Sequence, residues 1–103
     1  MYKLVFFAPE QNVESVKAAV FAAGGGKQGA YDSCAWQTKG IGQFRPLAGS
    51  AAFIGELDKL EIVEEYRVEV LVDEARIYDV IHALKQTHPY EEPAYDVTRL
   101  EAF

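Results

Sequence analysis

Val63-Glu64-Glu65-Tyr66-Arg67-Val68-Glu69-Val70-Leu71-Val72 alternates along its length, with Tyr66, Val68, Val70 and Val72 on one side and Arg67, Glu69 and Leu71 on the other. A period of two held over this distance is a β-strand with one face on a core. Immediately after it, Asp73 is placed to cap a helix in which Ile77, Val80, Ile81 and Leu84 form one apolar stripe. Pro89 disfavours helical geometry at the residue before it, so that helix stops near His88. Tyr95 to Glu101 then reads as a closing strand.

Upstream the same two periods recur. Tyr2-Lys3-Leu4-Val5-Phe6-Phe7-Ala8 is rich in β-branched and aromatic residues and stops at Pro9, as a buried central strand does. Asn12 is placed to cap a helix over about residues 12 to 23, where Val13, Val16, Val20 and Ala23 follow helical spacing and Gly24-Gly25-Gly26 permits a left-handed exit. Tyr31 to Thr38 alternates, placing Asp32, Cys34 and Trp36 on one side, and is read as a strand. Gly40 to Gly55 has four glycines, a proline and no clear period, and is read as irregular hairpin and loop.

The order strand, helix, strand, hairpin, strand, helix, strand predicts an α+β fold: a ferredoxin-like βαββαβ sandwich, its antiparallel sheet carrying both helices on one face. A small sheet with one uncovered face and two free edges predicts closed self-association.

Composition bounds the rest. The chain of 103 residues is 50% hydrophobic, enough for one core and one domain spanning 1–103. Its longest apolar runs, Leu4 to Ala8 and Ala18 to Ala23, fall far short of the roughly 20 residues that span a bilayer, so no membrane association is expected. The start lacks a signal-peptide pattern, and the single cysteine, Cys34, excludes an intrachain disulfide, so a cytoplasmic location is expected. Residues 1–55 carry five bases against three acids and residues 56–103 five against thirteen, or +2 and −8. A net charge of −6 with scattered bases argues against nucleic acid as a partner.

Four separated strings, Tyr31-Asp32-Ser33-Cys34, Gly42-Gln43-Phe44-Arg45-Pro46-Leu47, Phe53-Ile54-Gly55-Glu56 and His88-Pro89-Tyr90-Glu91-Glu92-Pro93-Ala94-Tyr95-Asp96-Val97, together resemble the PII-like domain inserted in bacterial Nif-three-like (YqfO) proteins. The last string is also similar to the matching segment of the CutA proteins, with Glu92 departing from that pattern. The resemblance implies the ferredoxin-like fold, a homotrimer, and small regulatory or metal ligands held between subunits. It does not bring metal-dependent hydrolysis, because the paired metal site of full-length Nif-three-like proteins lies in flanking segments outside this chain. By the same resemblance, Tyr31, Cys34, Phe44, Arg45, Pro46, Tyr90 and Tyr95 belong to an interface or ligand loop.

Among chemistry-bearing residues, His88, Glu91 and Glu92 sit on a stiff loop bracketed by prolines and form a candidate set for a divalent ion such as zinc or copper. The alternative is structural, with His88 bonded to the carbonyls ending its helix and Tyr90 packed at an interface. Cys34 has no neighbouring base and, sharing a strand face with Trp36, is read as a small buried hydrophobe rather than a nucleophile. Lys39, Arg45 and the glycines between residues 40 and 55 offer a weak phosphate cradle; the alternative is that Phe44, Leu47, Phe53 and Ile54 cover a neighbouring subunit. His82 is expected to face solvent, and Glu61, Glu64, Glu65 and Glu69 are read as a solvated or interchain-paired surface. No catalytic constellation is visible, and a binding or regulatory role is expected over an enzymatic one.

Overall fold

The structure is a computed structural model and describes all 103 residues. Its elements are β1 (Tyr2–Pro9), α1 (Val13–Ala22), β2 (Trp36–Phe44), β3 (Glu61–Val72), a short 3-10 turn (Glu74–Arg76), α2 (Ile77–Thr87) and β4 (Tyr95–Arg99). The strands form one antiparallel sheet in the order β2-β3-β1-β4, the expected α+β ferredoxin-like arrangement.

Side-chain parity sets the layers. Leu4, Phe6 and Ala8 of β1 pair with Val70, Val68 and Tyr66 of β3, and together with Val72 they face the helices. The helices return Val13, Val16 and Val20 from α1 and Ile77, Val80 and Leu84 from α2. Burying each such side chain contributes about 1.5–3 kcal/mol, so this single layer dominates the stability of the fold.

Neither helix starts as expected. Asn12 and Asp73 make no side-chain cap; instead the Ser15 hydroxyl donates to the Asn12 carbonyl at 3.0 Å. After α1 the glycines do what the sequence implies. Gly26 has φ +77, donates to the Leu71 carbonyl at 2.8 Å and accepts from the Cys34 amide at 2.9 Å. A Cβ there would stand 2.8 Å from the Cys34 carbonyl oxygen, so only glycine fits.

The second strand lies further along the chain than its alternation indicated. Tyr31 is held only by a two-residue bridge to Gln28, and the strand runs from Trp36 through Gly40 and Gly42 to Phe44. Pairing with β3 extends from Trp36↔Glu69 to Phe44↔Glu61. The two strands make a hairpin arm, part of a molecule 46 Å long and 24 Å across. Lys17 to Gln37 (2.7 Å) and Lys39 to Glu10 (3.3 Å) tie the base of the arm to the helical side. Beyond Gly40, the only strand beside β2 is β3. No helix is long and apolar enough to cross a membrane.

Candidate functional site

Parity also places Phe7, Arg67, Glu65, Gly40 and Gly42 on the sheet face away from the helices. The segment after α2 carries the chain round to that face, and His88 anchors it. As α2 ends, the His88 amide donates to the Leu84 carbonyl at 2.9 Å, and its ψ of 136° turns the chain out of the helix ahead of Pro89. The ring is only 6% exposed. It does not bond the carbonyls ending the helix. Its Nδ1 accepts the Tyr90 amide at 3.0 Å, which fixes the hydrogen on Nε2, and Nε2 donates to the Phe7 carbonyl at 2.6 Å. Phe7 needs that donor because its N–H pairs with Ala94 just before β4 begins, leaving its carbonyl past the strand's start. Burial lowers the imidazole pKa, against a smaller opposing effect of the Phe7 bond.

Held this way, Tyr90 reaches the open face. Its ring stands 5.0 Å from His88, 5.9 Å from Phe44 and 6.4 Å from Phe53, all tilted. Its hydroxyl donates to Glu65 Oε2 at 3.3 Å. Desolvation first, then the Glu65 charge and hydrogen bond, push the phenol up to about 12. Desolvation likewise raises the Glu65 carboxyl, with the Tyr90 bond pulling the other way. Gly42 makes room: a Cβ there would lie 2.6 Å from the Glu65 carboxyl carbon.

A second tether closes the loop after β2 over this point. The Ala51 amide donates to Glu91 Oε2 at 3.0 Å, and within the loop Asp58 N–H reaches the Pro46 carbonyl at 2.7 Å. Between arm, loop and the post-α2 segment lies a cleft of about 300 Å³ lined by Phe44, Pro46, Phe53, Glu65, Tyr90 and both Glu91 and Glu92.

The expected site residues therefore divide. Phe44, Pro46, Tyr90, Glu91 and Glu92 meet in this cleft, with His88 behind it as a positioning residue. Arg45 is exposed and outside the lining, and Tyr31 is exposed beyond the far end of β2. Tyr95 packs on the helical side, under Lys85 at 5.7 Å. Cys34 is neither in a strand nor fully buried: its thiol points to the Asp32 carbonyl at 3.6 Å beside Trp36, which is 59% exposed. His82 faces solvent as expected. No group of three His, Cys, Asp or Glu side chains is close enough within the chain to hold a metal ion, and both His88 nitrogens are engaged. Glu65, expected on a solvated or interchain-paired surface, is half-buried and lines the cleft. Nothing in the sequence set it apart from its acidic neighbours Glu61, Glu64 and Glu69.

No family model matches the chain. The chain is 43% identical over 97 residues, 94% of its length, to a protein named GTP cyclohydrolase 1 type 2 homolog from Halalkalibacterium halodurans. It is equally identical over 99 residues, 96% of its length, to the protein of the same name from Bacillus subtilis. It spans 26% of the length of each. Among solved structures, a Bacillus cereus protein related to NIF3 superposes with TM-score 0.83 at 38% identity, covering 98% of this chain and 26% of that one. The periplasmic divalent cation tolerance protein CutA from Archaeoglobus fulgidus superposes at 0.67 with 18% identity, covering 100% of this chain and 87% of that one. Bacillus subtilis GlnK does so at 0.61 with 14% identity, covering 96% and 83%. The last two share the fold.

Proposed function

From the premise that the chain is homologous to one segment, about a quarter of the length, of Nif-three-related proteins and has the PII-like, CutA-like fold, we propose that it is a cytoplasmic, self-associating binding or regulatory module whose ligand sits in the Tyr90 cleft. The observation carrying this reading is the construction of the cleft: Tyr90 is positioned from behind by a buried histidine, and Gly42 leaves room for its partner Glu65. Such support fixes a recognition surface. A binding role fits better than a catalytic one, since the Tyr90 hydroxyl stays protonated at neutral pH and the single thiol lies outside the cleft.

Self-association is supported by the arm. Ile41 is 78% and Ile62 64% exposed on its helix-side face, with exposed Leu57 and Leu60 at the turn into β3. Apolar residues grouped on a projecting hairpin are stabilised by burial against another copy. We take the assembly to be a trimer, following the family resemblance. Native mass spectrometry of the untagged protein tests this: a trimer is expected, with a retained small molecule identifying the ligand class, and a bare monomer overturns the reading.

A second reading is favoured by the convergence of Glu65, Glu91 and Glu92 on one cleft. In it the ligand is a divalent ion such as zinc or copper, completed by donors from a neighbouring copy. Calorimetric titration checks it. Binding weakened by Glu91→Gln or Glu92→Gln supports a shared site; heats unchanged in both variants and in His88→Ala remove it.

A further inference from the structure

The Tyr90 cleft has aromatic walls and charge of one sign. Phe44, Phe53 and Tyr90 supply three rings and Pro46 and Ile54 add apolar surface, while Glu65, Glu91 and Glu92 are its only charged residues. No lysine, arginine or histidine lines it.

Elsewhere the molecule's own cations meet several groups of both kinds. On the same sheet face Glu69 is paired with Lys3 at 3.4 Å and Arg67 at 3.5 Å, and on the arm Glu64 meets Lys39 at 3.4 Å. Arg67 lies over Phe7, Lys85 over Tyr95 and Arg99 over Tyr2, at 5.9, 5.7 and 4.8 Å from the ring centres. The cleft lacks both pairings. Its rings carry no cation, and the half-buried Glu65 has only the neutral Tyr90 hydroxyl for a partner. A carboxylate withdrawn from water and answered by one neutral donor is incompletely compensated, and an electron-rich ring face beside it attracts positive charge.

We infer that this cleft binds a small organic cation, an ammonium group on an aliphatic stem, with the stem against Phe44 and Phe53 and the charge between Tyr90 and Glu65. A bare divalent ion matches the site less well, since it leaves the aromatic walls unused and finds no three donors in one chain. A volume of about 300 Å³ limits the occupant to a compact molecule or a single side chain. The ammonium can belong to a free amine or to a lysine presented by another polypeptide; the recognition chemistry is the same. This inference rests on the reading of the cleft as the ligand site.

The test is a titration of the full chain with butylammonium chloride, followed by the aromatic ring signals in NMR, with equimolar sodium chloride, n-butanol and ATP as comparison probes. Butylammonium is expected to shift the Phe44, Phe53 and Tyr90 signals saturably, and Glu65→Gln to weaken that binding about tenfold, while Glu65→Asp retains part of it. An N-acetylated, C-amidated Gly-Lys-Gly peptide separates the sources: tighter binding than butylammonium indicates a polypeptide lysine, and equal or weaker binding a free amine, each supporting the site. Shifts reproduced by sodium chloride or butanol overturn the inference, as does wild-type affinity in a folded Glu65→Gln variant. ATP binding in the cleft without butylammonium binding overturns the cation class alone. Shifts with none of the probes, in a protein that still assembles, overturn the inference and remove the cleft from the proposed function.

Discussion

The Tyr90 hydroxyl lies 3.3 Å from Glu65 Oε2, joining two residues from elements 25 positions apart in the chain and giving the open sheet face a polar centre. The link depends on a third residue that bonds neither hydroxyl nor carboxylate, since the His88 ring ties the Tyr90 amide to the Phe7 carbonyl of β1.

Tyrosine ionisation reads this pair directly. In a spectrophotometric titration, Tyr90 is expected to ionise near pH 12. Glu65→Gln removes the neighbouring negative charge and lowers that value towards the ordinary 10.0. Ionisation of Tyr90 unshifted by the substitution contradicts the contact.

Glu65 itself has a raised pKa, so the folded state binds its proton more tightly than the unfolded chain does. Its contribution to stability is present below pH 4.5 and is lost as pH rises through the folded value. Glu65→Gln is therefore expected to raise the thermal midpoint slightly at pH 7, solvent screening keeping the gain small, and the gain shrinks below pH 4.5. Calorimetry at pH 4 and pH 7 checks both sign and window.

His88 behaves oppositely. Its lowered pKa means the unfolded chain holds the proton more tightly, so stability is fully present above pH 6.5 and falls as pH drops through the folded value. His88→Ala leaves the Phe7 carbonyl without its donor and the Tyr90 amide without its acceptor, a loss of about 2–3 kcal/mol. Urea unfolding at pH 5.5 and 7.5 should show a pH-dependent drop in the wild type that is smaller in the variant.

The two glycines of the arm make an internal comparison. Nothing lies within 4 Å of a Cβ built on Gly40, whereas one on Gly42 meets the Glu65 carboxyl. Gly40→Ala is expected to be neutral or stabilising by about 0.5 kcal/mol, as lost chain freedom in the unfolded state predicts. Gly42→Ala should push Glu65 away from Tyr90 and bring the phenol's titration down towards 10.0, the signature of Glu65→Gln.

Ile41→Glu and Ile62→Glu probe the arm. Both positions are exposed in the single chain, so each change should move folding stability by no more than about 0.5 kcal/mol. Sedimentation should nevertheless show weaker assembly, and an unaltered oligomer would clear this face of any part in self-association.

Legibility in the sequence followed burial. β3 and α2 each press one face on the core, and their periods could be read directly from Tyr66 to Val72 and from Ile77 to Leu84. The position of β2 is hidden in the sequence because its outer half, Lys39 to Gln43, has no core to impose alternation, and Gly40 and Gly42 resemble loop residues when their strand partners are unknown. The proline-bracketed segment is legible as a candidate because its stiffness is local. Its partner Glu65 is not, since a contact across 25 residues and through a sheet face leaves no local pattern. His88 was visible as a candidate ligand, but its role as a brace depended on where β4 starts, which leaves the Phe7 carbonyl unpaired.

Because β1 pairing with β3 ends at Glu65, opposite Gly40, β2 and β3 continue beyond it as a two-stranded ribbon, and with Phe44 packed on Tyr90 the arm is a lever whose tip forms one wall of the cleft. Its outer half should open locally well before the sheet melts. Whatever seats on the arm's exposed isoleucines stiffens that wall, and whatever fills the cleft stiffens the arm. On the proposed function, assembly and ligand occupancy would act on one mechanical element and share its free energy of ordering, so that each would favour the other.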